Sequence, residues 1–263
     1  MSLDKTVPSA AAAVADIPSG ASIAVGGFGL AGIPWFLIEA LLDQGADDLT
    51  VASNNCGVDG AGLGLLLERG RISRVIASYV GENKEFARQY LAGELTVELT
   101  PQGTLAERLR AGGSGIGAFY TPTGVGTLVA EGGLPWRYHP DGTVALASPP
   151  KEVRTFHGRE MVLEESIVTD VALVRAAVAD RAGNCVFHAS ARNFNPAAAM
   201  AGRLTIVEAE RVVEVGEIGP DEVHLPGVFV QRVVALTPEQ AARKDIEKRT
   251  TRGERPAGAQ EES

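Results

Sequence analysis

The chain has 263 residues, 45% of them hydrophobic, enough to bury one large core or two modest ones, and an α/β domain with or without a subdomain is the first expectation. A formal net charge of −9 argues against nucleic acid or an anionic membrane as the main partner, since either needs a basic face. Cys56 and Cys185 stand far apart with no CxxC, and His139, His157, His188 and His224 have no ligand spacing, so neither a disulfide framework nor a metal site is indicated and a reducing cytoplasm fits best.

The N-terminal stretch "VPSAAAAVADIPSG" is broken by two prolines, too short and interrupted for a signal h-region or a membrane span, and no later apolar run reaches membrane length. A soluble, unprocessed protein is expected. From residue 17 to 111 strand-like and helix-like segments alternate. "SIAVGGF" (22–28) is a short apolar run bounded by glycines, hence a buried strand. "PWFLIEALLDQG" reads as a helix, with Pro34 suited to its first turn and Gly45 to its stop. "LTVASNN" (49–55) is a second strand and "LGLLLERG" a short helix; "RVIASYV" (74–80) is a third strand and "NKEFARQYLAGE" a helix. "LTVELT" is a fourth strand and "TLAERLRAGG" a helix with Gly112 beyond its end. Strands separated by helices of about ten residues imply crossover connections and an open, mostly parallel sheet flanked by helices.

The glycine-rich segment 112–133 is expected to be loop, either an ordered active-site loop, a mobile lid or a plain linker. "YHPDGTVALAS" and "EVRTFHGREMVLEES" then read as short strands around Asp-Gly and His-Gly turns, and "VALVRAAVAD" and "LTIVEAERVVEV" as further apolar strands. One domain is therefore expected over residues 1–236. From Thr237 the chain turns polar and charged, and residues 237–263 are expected to form a frayed helix and a disordered tail.

Gly27, Gly29 and Gly32 in "VGGFGLAGIP" form a formal G-x-G-x-x-G between a strand and a helix, the context a dinucleotide fingerprint requires. A nicotinamide site also needs an acid about twenty residues on, at the end of the next strand. Here that strand ends in Ser53-Asn54-Asn55, while Asp47 and Asp48 precede it. The formal motif is therefore not a dinucleotide site. What remains is a glycine turn that lets a ligand approach the backbone, with N–H groups expected to face an anion beside a helix N-terminus, or a turn chosen for packing alone.

The blocks "VGGFGLAGIP", "LTVASNNCGVDGAGLGLLL", "ASYVGENKEFARQYLAGELTVELTPQGTLAERLRAGGSG", "AFYTPTGVGT" and "ARNFNPAAAMAG" together resemble family I CoA-transferases, specifically the A (alpha) subunits of the succinyl-CoA:3-ketoacid type. The resemblance runs from about residue 16 to 234. It implies an open α/β CoA-transferase fold, pairing with a homologous B subunit in an αβ or α2β2 assembly, and coenzyme A as a substrate with no permanently bound metal or redox cofactor. The family's CoA-binding signature falls on Gly26, Gly27, Phe28, Gly29, Leu30, Ala31 and Gly32. The resemblance also implies ping-pong chemistry on acyl-CoA and a 3-oxoacid such as acetoacetate: a glutamate attacks the thioester, an anhydride forms, and CoA returns to give a glutamyl-CoA thioester. That glutamate belongs to a Ser-Glu-Asn-Gly motif of the B subunit. The corresponding place in this chain holds Asn54, so no catalytic nucleophile is expected on it.

Asn54 and Asn55 could orient substrate or donate to an oxyanion, against a turn-forming role. Gln102, just past a strand, suits a substrate carboxylate or carbonyl, and the resemblance favours a substrate-binding role for all three. Glu82 in "VGEN" follows the third strand and is expected to cap a helix rather than attack substrate. Cys56 is expected to be a buried filler, and Arg192-Asn193-Phe194-Asn195 an anion site or interface segment. The alternatives kept open are the A (alpha) subunit of a 3-oxoadipate CoA-transferase and a non-catalytic acyl-CoA-binding protein on the same scaffold.

Overall fold

A computed structural model describes residues 4–81 and 83–245. β1 (Thr6–Val7) and α1 (Ala10–Val14) precede the alternating region, which runs β2 (Ser22–Val25), α2 (Trp35–Gln44), β3 (Leu49–Ala52), α3 (Gly64–Glu68), β4 (Ile72–Ala77), α4 (Lys84–Leu91), β5 (Thr96–Leu99) and α5 (Gln102–Gly113). A smaller β-rich part follows: β6 (Ala118–Thr121), α6 (Leu128–Glu131), β7 (Pro135–Tyr138), β8 (Val144–Ala147), β9 (Val153–Phe156) and β10 (Arg159–Glu165). The chain then returns through β11 (Thr169–Asp180), β12 (Cys185–Val186), α7 (Asn195–Ala201), β13 (Gly202–Val213), β14 (Arg232–Ala235) and α8 (Pro238–Ala242).

The main sheet has the order β1-β14-β13-β11-β2-β3-β4-β5, with β12 beside β11. Every pairing along it is parallel except the antiparallel β11–β12 pair, so the expected open parallel sheet is what forms. Both faces are covered, which is why its central strands are apolar on both sides. Ile23, Val25, Leu49, Val51 and Leu173 pack under α1 to α4, while Ala24, Ala52, Ala172, Val174 and Ala176 meet α5 and α7. The alanines on the second face let α7 sit close to the sheet.

The segment 112–133 is not simply loop, because β6 and α6 lie within it and α5 continues through Gly112 to Gly113. Those two glycines are contact residues rather than a stop. A Cβ on Gly112 would come within 2.0 Å of the Ile167 carbonyl oxygen, and one on Gly113 within 2.3 Å of Met200 Cβ. The Asp-Gly and His-Gly turns join β7 to β8 and β9 to β10 in antiparallel pairs. In the polar C-terminal segment, α8 opens with a capping box between Thr237 and Gln240, and the Arg243 guanidinium sits 4.2 Å from the centroid of the Trp35 ring. Residues 246–263 of the expected tail lie outside the described residues. No helix among the described residues is long and apolar enough to cross a membrane.

Candidate active site

The carboxyl ends of β2, β3, β4 and β5 lie side by side, where open α/β sheets bind ligands. Asn54, just beyond β3, is 2% exposed. Its Oδ1 accepts a 2.7 Å hydrogen bond from Gln102 Nε2 and lies 3.1 Å from Ser78 Oγ. Its backbone carbonyl accepts from the N–H groups of Ser78 and Tyr79. With Oδ1 occupied, the Asn54 amide nitrogen is the group left to donate, and it has no hydrogen bond to another described residue. Gln102 opens α5 and is exposed. The two amides that sequence reasoning singled out thus meet across β4, forming a neutral, donor-rich pair. Asn55 is buried beside them, its Nδ2 3.5 Å from the Gly57 carbonyl oxygen.

The glycine turn adjoins this pair through β2 and β3, where Ser53 Oγ donates to the Val25 carbonyl oxygen at 2.9 Å. Phe28 and Ala31 exchange two backbone hydrogen bonds of 3.0 Å, which makes residues 28–31 a tight hairpin and leaves the Phe28 ring about half exposed. The turn is braced from behind by the segment that the sequence left undecided between an anion site and an interface. Asn193 Nδ2 donates to the Ala31 carbonyl oxygen at 3.0 Å and Asn195 Nδ2 to that of Gly32 at 2.9 Å. Arg192, next to Asn193, is only partly buried and forms no ion pair among the described residues.

The anion expectation for this turn needs correction. The Phe36 and Leu37 N–H groups at the start of α2 both donate to Glu208 Oε2, at 2.9 and 3.0 Å, and Trp35 N–H donates to the Ile33 carbonyl oxygen. An internal carboxylate therefore occupies the helix N-terminus that a phosphate would use. Another feature went unread: after β3, Val58 and Ala61 form the same two-bond hairpin as Phe28 and Ala31. The pattern Gly-Phe-x-x-Ala-Gly (27–32) and Gly-Val-x-x-Ala-Gly (57–62) was the signal for it. The two hairpins pack together through Leu30, Ile33, Val58 and Ala61.

Cys56 and Cys185 are buried, and burial pushes both thiols up to about 12, which makes them packing groups rather than nucleophiles. Glu82 lies outside the described residues, and the cap of α4 is Asn83, whose Oδ1 accepts from Phe86 N–H. Among the described residues no cluster of His, Cys, Asp and Glu could hold a metal ion. His224 instead accepts from the Phe187 N–H through Nδ1.

The family model for coenzyme A transferases matches residues 7–236. The chain is 64% identical over 250 residues to the A (alpha) subunit of the probable succinyl-CoA:3-ketoacid coenzyme A transferase of Mycobacterium tuberculosis, covering 95% of this chain and all of that one. It is 56% identical over 221 residues to human mitochondrial succinyl-CoA:3-ketoacid coenzyme A transferase 2, covering 84% of this chain and 43% of the human protein. The fold matches the crystal structure of an acyl-CoA transferase from Escherichia coli O157:H7 with a TM-score of 0.75 at 23% identity, over 91% of this chain and 48% of that one. The chain thus matches a bacterial subunit end to end and about half of each longer transferase. This chain belongs to the coenzyme A transferase family.

Proposed function

We propose that the chain is the A (alpha) subunit of a heteromeric 3-oxoacid CoA-transferase that moves CoA from succinyl-CoA to a 3-oxoacid such as acetoacetate, with the nucleophilic glutamate on a B subunit. The observation that carries this reading is the Asn54–Gln102 amide pair. It stands at the strand end where a nucleophile would sit, yet it offers N–H donors and no ionised oxygen. Such donors suit an oxyanion: when the partner's carboxylate attacks a thioester, the carbonyl oxygen takes up negative charge, and preorganised amides stabilise it as it forms. Asn55 completes the wall of the same pocket. The glycine turn 26–32 supplies the surface for the CoA arm through its open backbone and the exposed Phe28 ring, since its helix N-terminus is already filled. The end-to-end match to bacterial alpha subunits and the half-length match to the longer transferases support a second, separate half as partner, and coenzyme A then enters as a substrate in the cytoplasm rather than as a resident cofactor.

The purified chain is expected to show no transfer alone and to gain it when co-expressed with its B subunit. The assay follows CoA exchange between succinyl-CoA and acetoacetate, with 3-oxoadipate as a second acceptor. Turnover by this chain alone would overturn the assignment of the nucleophile. Acyl-CoA binding without turnover in the presence of the B subunit would favour a non-catalytic role.

A further inference from the structure

Behind the glycine turn, a buried charge pair joins three elements. Glu208 of β13 is fully buried and Arg175 of β11 is 5% exposed; they are register neighbours in the sheet, with Nη1 3.4 Å from Oε1. The other carboxylate oxygen of Glu208 receives the Phe36 and Leu37 N–H groups. Arg175 in turn donates from its guanidinium to Glu210, at 3.1 and 3.2 Å, and to the Ala241 carbonyl oxygen at 3.0 Å. Its backbone N–H donates to Asn195 Oδ1 at 3.1 Å, and Asn195 holds the Gly32 carbonyl. The segment from Gly32 to Leu37 is therefore tied at both ends to the same pair of strands.

A buried ion pair is a weak stabiliser, because desolvation offsets most of the Coulombic gain and apolar residues of similar volume often do as well. Its hydrogen bonds here go to the segment that carries the glycine turn. We propose that Glu208, held by Arg175, is a positioning residue for acyl transfer: ionised, it fixes the first turn of α2 and with it the glycine turn, and protonated it releases them. This rests on the reading that the turn serves the transfer reaction. A proton on Oε2 would face two N–H donors with a hydroxyl, leaving room to accept from only one of them.

The charged groups around the carboxylate are Arg175 from β11, Glu210 from its own strand, Glu39 from α2, and Arg243, Lys244 and Asp245 from the C-terminal segment. Most are already committed. Arg243 binds Glu39 at 2.6 Å and Asp245 at 3.1 Å, and Lys244 binds Glu210 at 3.0 Å. Burial pushes the Glu208 carboxyl up to about 7, against the opposing pull of Arg175 and the two N–H groups, so the switch falls in a usable pH range.

The test compares wild type with Glu208→Gln in the complex with the B subunit. Hydrogen–deuterium exchange over residues 26–37 is read at pH 6 and pH 8, corrected for intrinsic exchange. Wild type is expected to lose protection at pH 6, and the variant to exchange about tenfold faster than wild type at pH 8 only. The wild-type to variant ratio of kcat should rise about tenfold through pH 7, with KM for acyl-CoA changing little. A pH-independent ratio, or exchange raised evenly over the whole chain, would overturn the proposal in favour of a merely structural role. If the wild-type complex shows no transfer, the functional reading fails, while the exchange measurement still decides whether Glu208 holds the turn. Should Glu208→Gln not fold, Arg175→Lys keeps the charge but loses the fork, and is expected to move the midpoint to higher pH; an unmoved midpoint would count against the proposal.

Discussion

An amide can orient a substrate and donate to it, but has no ionised oxygen to attack with, so the chemistry open to Asn54 and Gln102 is bounded by their type. Gln102 is the better residue to probe, since it is exposed and its loss leaves the strand ends intact. Gln102→Ala removes one donor from the developing oxyanion and frees Asn54 Oδ1, so that the Asn54 amide loses its fixed orientation. In the complex this should lower kcat by roughly 10²-fold while KM for succinyl-CoA stays within a few-fold; a raised KM at constant kcat would instead mark Gln102 as a ground-state binding group. Both amides were legible because each follows a short apolar strand, where ligand groups collect. Ser78, which helps orient Asn54, was not, for a serine after a strand carries no distinguishing pattern. Glu208 was hidden for a different reason. It is a lone acid inside an apolar strand, and the helix start it serves lies 171 residues away in sequence.

At the scale of elements, the turn after β2 is shaped less by its own glycines than by what packs behind it. A Cβ on Gly26 would fall 2.0 Å from Asn195 Oδ1, the atom that receives the Arg175 N–H. Asn195 is fully buried and bonded on both ends of its amide, so it cannot swing away cheaply. Gly26→Ala should therefore destabilise the chain by about 1–3 kcal/mol, read as a lowered urea midpoint with unchanged slope. Combining it with Asn195→Ala should cost less than the sum of the two single changes, because the clash and the brace are the same contact; strict additivity would mean that the steric argument is wrong. The alternation of strands and helices up to α5 was legible from apolar runs and glycine stops. α1, β1 and β14 were not: α1 and β1 are very short, and β14 follows a stretch without clear alternation. The glycines at 112 and 113 misled for a physical reason, since glycine that admits a neighbour's backbone looks the same in sequence as glycine that ends a helix.

For the whole molecule, two sets of buried charges pull stability in opposite directions with pH. Burial would raise the Glu98 carboxyl, but Arg108 and Arg74 outweigh it and hold it below the usual value, so its contribution is present above the ordinary carboxylate range and is lost as pH falls through its folded value. Glu208 has the opposite sign. Its folded value of about 7 lies above the ordinary 4.5, so the folded chain holds that proton more tightly than the unfolded one; the resulting stability is present below 4.5 and is lost as pH rises through 7. The net charge of −9 adds a general self-repulsion with the same trend, so the two must be separated by difference. Between pH 5 and pH 8 the urea midpoint of wild type should fall, and that of Glu208→Gln should fall less, so that the variant gains on wild type as the pH rises. Activity should move the other way, with wild type gaining on the variant over the same interval. Stability and turnover that decline together in the variant at every pH would mean that Glu208 merely supports the core; opposite trends require that its ionised form is kept, at the expense of stability, for the placement of the glycine turn.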